Sequence, residues 1–400
     1  MSVARPALPF LLGPVSLGPL LLALACSAHP PAPAAEMQAS QTLSAGTSAP
    51  PQPVLAASLA ASAAPDKATP AATPAATPPS PAPTPTVGAG GLAPLSREHR
   101  ATMLAGAEDT LAPTPIHYVK SNEVRHDVWF PYVAGLGGAY LGVGSDQNYT
   151  VAGVARSELM FLSDIDRSVV DLHRVYEVLI EASDTPEALL ERFDAGQTEA
   201  SLALLTTAFA ELPAPEQRRL LGLYRAARET VYIHLLRVIK RRQGEVGTTW
   251  LSDRGMYDHI RGLFKADRVR AMGGDLTGAN SLQTAASAAR NLGVPFRVIY
   301  FSNAEEYFNY GAQFVSNIEA FPVDDRTVVL RTLYRKDWAH ADQLWAYQVQ
   351  PIADFRARLA DRKNRSRNPM LRYAEIEGAL NKETGTKGLS LIRLPVALGG

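Results

Sequence analysis

The 400 residues contain a single cysteine, Cys26. One thiol excludes both a disulfide framework within the chain and a multi-cysteine metal site. Net charge is missing as well: 39 Lys and Arg stand against 39 Asp and Glu. No basic surface argues for nucleic acid, and no acidic one for a cationic partner. Neither a G-x-S-x-G nucleophile elbow nor an H-x-x-x-H spacing occurs. A hydrolase reading therefore finds no support, and no metal is expected. Bulky apolar residues are scarce from Ser27 to about Leu92, where Ala, Pro, Thr and Ser dominate. Such a stretch cannot offset its own ordering entropy. Nearly all the charge lies after Leu95, and the roughly three hundred residues there are enough for one sizeable core.

The N-terminus reads as an export signal. Arg5 precedes an apolar run from Ala7 to Ala25 that closes on small residues at Leu22-Ala-Leu-Ala-Cys26. A short run of that kind suits a secretory signal better than a membrane span. Small residues directly before a lone cysteine resemble the lipobox of bacterial lipoproteins. The resemblance implies acylation of Cys26, which anchors the chain in a lipid bilayer, and Ser27 after it implies an outer-membrane or cell-surface lipoprotein. An ordinary cleaved signal is the alternative, and a cytoplasmic chain follows if there is no signal at all. The Ala/Pro/Thr-rich stretch is a semi-rigid spacer. The expected organisation is a signal over 1–25, a lipidated cysteine and linker over 26–95, and an α/β domain over 96–400. Within that domain, 184–266 is a mainly helical insertion, opened by the helix-start signal Thr185-Pro186-Glu187.

The domain is organised around Tyr140-Leu-Gly-Val-Gly-Ser-Asp-Gln-Asn148. An apolar run leads into Gly142 and Gly144, which let the chain turn sharply. Ser145 or Asp146 then caps a helix whose free N–H groups suit an anion. A second strand, Leu159–Leu162, ends in Ser163-Asp-Ile-Asp166. Asp164 stands about twenty residues after Gly144, where an acid accepts hydrogen bonds from ribose hydroxyls. Asp166 caps the next helix. The third glycine of the dinucleotide fingerprint is absent, which argues against NAD or FAD. A third strand ends at Gly274-Asp275 and a fourth at Ser302-Asn303, and a further helix is expected from Tyr307 to about Phe314. Upstream, His117, Tyr118, His126, Trp129, Phe130 and Tyr132 are expected to cover an edge of the core; alternatively, Asn122 to Trp129 folds back over the site. His234 is read as a core histidine, and Arg237 to Arg242 as a solvated helix end.

A glycine turn, a second-strand acid and a third-strand Gly-Asp resemble the class I S-adenosylmethionine-dependent methyltransferases. More closely, Tyr140 to Asn148, Asp164 to Asp166 and Tyr300-Phe-Ser-Asn-Ala-Glu-Glu-Tyr307 look like a family of uncharacterised bacterial proteins with a methyltransferase-like Rossmann fold, over about Ser121 to Leu333. The fold this implies is a mostly parallel Rossmann-like sheet with the helical insertion between strands two and three. The implied cofactor is S-adenosylmethionine. Gly142, Gly144, Asp146 and Asn148 would lie against its methionine part, and Asp164 against the ribose. Asp275 would meet the adenine, while Ser302 and Asn303 would face the transferred methyl. Glu305 or Glu306 would be a base, and Tyr307 and Tyr310 partners for the sulfonium; helix surface and core are the plainer roles for all four. Two functions follow: an exported, membrane-tethered domain binding S-adenosylmethionine or a related small adenosine ligand, or a catalytically inactive surface lipoprotein that uses the domain as a binding or structural module.

Overall fold

The computed structural model describes residues 92–114, 117–336, 338–372 and 385–392. Cys26 and the linker lie outside them. Seven strands form one sheet: β1 Ala139–Val143, β2 Leu159–Asp164, β3 Val269–Gly273, β4 Phe296–Tyr300, β5 Val323–Leu333, β6 Ala346–Pro351 and β7 Leu389–Leu391. Their spatial order is β3-β2-β1-β4-β5-β6-β7. Every neighbouring pair is parallel except β5 with β6. The first six follow the doubly wound Rossmann order, whose direction reverses between β1 and β4. The expected α/β class and mostly parallel sheet are what the chain adopts.

Alternation along the strands divides the core in two. Tyr140, Met160, Leu162, Val298 and Tyr300 face one layer, and Leu141, Phe161, Phe296 and Ile299 the other. Both faces are covered, as a parallel sheet requires. The first face carries α2 (Gln147–Ala155) and α3 (Arg167–Glu181). Behind α3 lies the helical block between β2 and β3. It holds α4 (Thr198–Ala208), the 25-residue α5 (Ala214–Val238) and α6 (Arg254–Lys265). A helix of that length spans about 38 Å, enough to bring its far end over the strand termini. The second face carries α7 (Ser281–Asn291), α8 (Ala312–Ala320) and α9 (Ile352–Ala360). The first helix, α1 (Arg97–Leu104), is short and is capped by Ser96.

Local signals hold where the chemistry is local. Asp166 accepts from the Ser168 N–H and caps α3. Thr185 caps a one-turn helix that begins at Pro186. Gly293 follows α7 at φ +69. Two expectations need correcting. No side chain caps α2, because Asp146 is engaged elsewhere. The helix expected after Tyr307 does not form there: a single 3-10 turn spans Ala304–Glu306, and α8 begins only at Ala312. Ser302 sits at φ +53, which turns the chain out of the strand before a helix can start. A two-residue hairpin, Arg242–Gln243 with Val246–Gly247, and strand β7 were not expected.

Candidate functional site

The reversal between β1 and β4 marks the crevice where ligands of open α/β sheets bind. Both glycines of the turn answer to the chain's own side chains there. A side chain at Gly142 would collide with the Asn148 amide and the Tyr140 ring. The Tyr140 hydroxyl donates to Asn148 Oδ1 at 2.8 Å. Asn148 Nδ2 in turn donates to the carbonyls of Val143, Gly144 and Ser145, at 3.1, 3.0 and 2.8 Å. Gly144 has φ +92, a backbone region that penalises any side chain, and the Gln147 amide occupies the space beside it.

The N-terminal turn of α2 is sealed. Ser145, Asp146, Gln147 and Asn148 are all buried. Asp146 accepts from His234 Nε2 on α5 at 2.8 Å and from Trp250 Nε1 at 3.3 Å. Burial pushes the Asp146 pKa up, but the charge and hydrogen bond of His234 outweigh it and leave the carboxyl below its usual range. Behind the turn, His173 Nε2 donates to the Gly144 carbonyl at 2.9 Å, and Nδ1 accepts from the Tyr149 hydroxyl at 2.7 Å. A carbonyl only accepts, so the proton sits on Nε2. Burial lowers the His173 pKa to about 4.

Asp164 remains nearest to its expected role. Its Oδ2 accepts from the Gly144 N–H at 3.0 Å, and its Oδ1 from Asp166 N–H at 2.8 Å. It is half-buried, and burial pushes its pKa up to about 6 against those two bonds. Ile165 beside it is 49% exposed. Asp275 does not converge with this group. Its Oδ1 takes the N–H and hydroxyl of Thr277, at 2.8 and 2.7 Å, which closes a local turn.

The segment before β1 crosses the strand ends as a strap. Glu108 accepts from the Gly273 N–H at 2.9 Å. Asp109 accepts from the N–H groups of Asn280, Ser281 and Asp275, at 2.9, 3.3 and 3.3 Å. The positive end of α7 is thus held by the chain's own carboxylate. His117 Nδ1 lies 3.0 Å from Asp166. Glu123 then enters the ends of β4 and β5, where it is buried. It accepts from Ser302 Oγ at 2.6 Å, Thr332 Oγ1 at 2.8 Å, the Tyr300 hydroxyl at 2.5 Å and His126 Nε2 at 3.1 Å. Burial alone raises the Glu123 pKa; His126 foremost, then Ser302 and Tyr300, bring it below its usual range. The same burial, beside that carboxylate, pushes the Tyr300 phenol well up. The aromatics also serve the core: Trp129 packs edge-on against Tyr300 and Tyr347, centroids 5.5 and 5.0 Å apart.

The residues expected to do chemistry after β4 are not assembled. Glu305 is fully buried and paired with Arg331, and it accepts from the Tyr310 hydroxyl at 2.7 Å. That pair has no access to a substrate, so its base role is not supported by this geometry. Tyr307 is 77% exposed. Asn303 is half-buried with no side-chain hydrogen bond among the described residues. Sequence reasoning missed Glu123, Asp109 and His173; the Glu123–His126 spacing inside an aromatic stretch was the one available signal. A cavity of about 160 Å³ lies beside edge strand β3, against Arg100, Glu177 and Phe264, and a groove of about 280 Å³ lies between the first helix and α7. Neither is lined by the glycine turn, Asp164 or Ser302. Among the described residues no cluster of three His, Cys, Asp or Glu could hold a metal, and no helix is long and apolar enough to cross a membrane.

Residues 118–393 match the family described as Domain of unknown function (DUF7790). The chain belongs to that family. Two structures of the rRNA methyltransferase aviRa from Streptomyces viridochromogenes, at 1.5 Å and 2.4 Å, are similar at 13% identity. The match covers 51% of this chain and 68% of theirs with a TM-score of 0.23, too low to add anything to the strand order. No curated protein matches the chain.

Proposed function

We propose that this member of the family is a non-catalytic binding or structural module, exported and held at a bilayer through acylated Cys26. The observation that carries the reading is the sealed turn. Where the methyltransferase resemblance places the methionine part of S-adenosylmethionine, Tyr140, Asn148 and Gln147 fill the space. The helix end that would receive an anion is buried under His234 and Trp250. Glu305, the candidate base, is spent on Arg331. A single observation favours the second reading, an adenosine-type ligand such as S-adenosylmethionine: Asp164 is half-buried beside an exposed apolar Ile165, a wall and an acceptor of the kind such a ligand uses.

Calorimetric titration of the full chain with S-adenosylmethionine separates the two. The module reading expects no saturable heat. Saturable one-to-one binding that Asp164→Ala abolishes would overturn it in favour of the cofactor reading. Acylation is tested by feeding cells a palmitate analogue: label is expected on the wild type and lost in Cys26→Ser. Label that persists in the variant would refute the tether.

A further inference from the structure

Several arginines of the domain face an acid. Arg100 meets Asp267, Arg219 meets Asp171, Arg254 meets Asp258 and Arg297 meets Asp324. The far end of α5 gathers bases that do not. Arg237, Lys240 and Arg242 are all exposed. Among the described residues no acid lies within ion-pair distance of Arg237 or Lys240. Among the described residues the Arg242 guanidinium makes one hydrogen bond, to the Glu245 carbonyl at 3.4 Å. Two of the exposed large apolar side chains flank these bases along the chain. Ile233, 43% exposed, stands one turn before Arg237 on the same helix face. Val246, 63% exposed, pairs with Gln243 beside the turn of the hairpin that follows directly. Arg241 does not belong to this surface: it turns inward and donates to the Glu123 carbonyl at 3.4 Å.

We infer that Ile233, Arg237, Lys240, Arg242 and Val246 form a docking surface for an anionic lipid bilayer. Cations held beside protruding aliphatic groups fit a headgroup layer, where phosphates meet the bases and the aliphatics reach the acyl boundary. A single-stranded nucleic acid calls for exposed rings on which bases stack, and this patch has none. The inference rests on the tethered reading for its setting. Sixty-five residues stand between Cys26 and Leu92, and any flexible chain of that length has a reach of about 45 Å, so a tether at Cys26 would allow the patch to meet the same membrane. With the acyl chain holding the domain nearby, weak contacts suffice, because tethering raises their effective concentration.

The test uses the full chain carrying Cys26→Ser, so that no acyl group contributes and the patch is judged apart from the tether. Cosedimentation is measured with phosphatidylglycerol–phosphatidylcholine vesicles and with phosphatidylcholine alone. The chain is expected to favour the anionic vesicles, with binding that weakens as salt rises. Arg237→Gln/Lys240→Gln/Arg242→Gln should lower the partition about a hundredfold, since each base near an anionic surface contributes about fivefold. Val246→Ser should weaken it further, while Arg218→Gln/Arg225→Gln at the other half of α5 should leave it unchanged. The substituted side chains are exposed, and an unaltered circular dichroism spectrum will confirm that the variants fold. Equal binding to both vesicles, indifference to the triple substitution, or an equal loss in the control pair would overturn the inference. So would binding to single-stranded RNA without binding to vesicles.

Discussion

Glu123→Ala removes the one acceptor shared by His126, Tyr300, Ser302 and Thr332. Hydrogen bonds to a charged group contribute roughly 1.5–3 kcal/mol each, so four of them amount to about 6–12 kcal/mol gross. Taking the carboxylate out of water costs several kcal/mol, and the hydroxyls of Ser302 and Thr332 can rotate toward other partners. A net loss of about 3–5 kcal/mol remains, the range measured when one member of a buried pair is deleted. For a domain of this size, that lowers the thermal midpoint by about 6–10 °C. Glu123→Gln should cost about half as much, because one amide oxygen still accepts and the amide N–H groups can face the hydroxyls. The pH dependence has a definite sign. The folded Glu123 pKa lies below its usual 4.5, so its contribution is fully present above pH 4.5 and is lost as pH falls through the folded value. Urea unfolding of wild type and both variants, at neutral pH and across the acid range, gives both readouts. If Glu123→Ala loses less than about 1 kcal/mol, the carboxylate does not hold the strap to the sheet and the reasoning fails.

Asp164 carries the opposite sign. Its folded pKa of about 6 lies above the usual 3.8, so stability falls as pH rises from about 4 to 6, by roughly 3 kcal/mol; Asp164→Asn should flatten that stretch of a urea-midpoint profile, and an unchanged slope would count against its burial. His234→Ala strands the buried Asp146 carboxylate and should cost about 3–5 kcal/mol in the same assay, whereas a change within experimental scatter would mean that the α2 turn is not latched by α5. Gly144→Ala forces a methyl onto a backbone at φ +92 and should cost about 1–3 kcal/mol; a neutral result would show that the turn relaxes freely.

The sheet was legible because its signals are local. Apolar runs bounded by glycine and acid marked β1 to β4, and Asp166 and Thr185-Pro186 announced their helices by spacing alone. β7 spans only Leu389–Leu391, too short for any periodicity to show. The helix expected after β4 failed for a reason that no propensity carries: Ser302 holds a left-handed backbone while its hydroxyl meets Glu123. The site was the least legible part. Asp146 looked like a helix cap, but its partner His234 stands 88 residues away. Glu123 meets Tyr300 and Thr332 across 177 and 209 residues. A carboxylate that closes a crevice reads, in sequence, like any other surface acid. The glycine turn was identified correctly as the pivot of the domain. What its pattern left out is that Tyr140, Gln147 and Asn148 come from the same turn and fill it.

Amide hydrogen exchange over 142–148, with and without saturating S-adenosylmethionine, tests the closed crevice most directly. Buried N–H groups in a side-chain-filled turn should exchange slowly in the free chain, and the cofactor should leave their rates, and those of the strap over 106–124, unchanged. Fast exchange in the free chain that slows on adding the cofactor would show an open, ligand-binding turn and contradict the account.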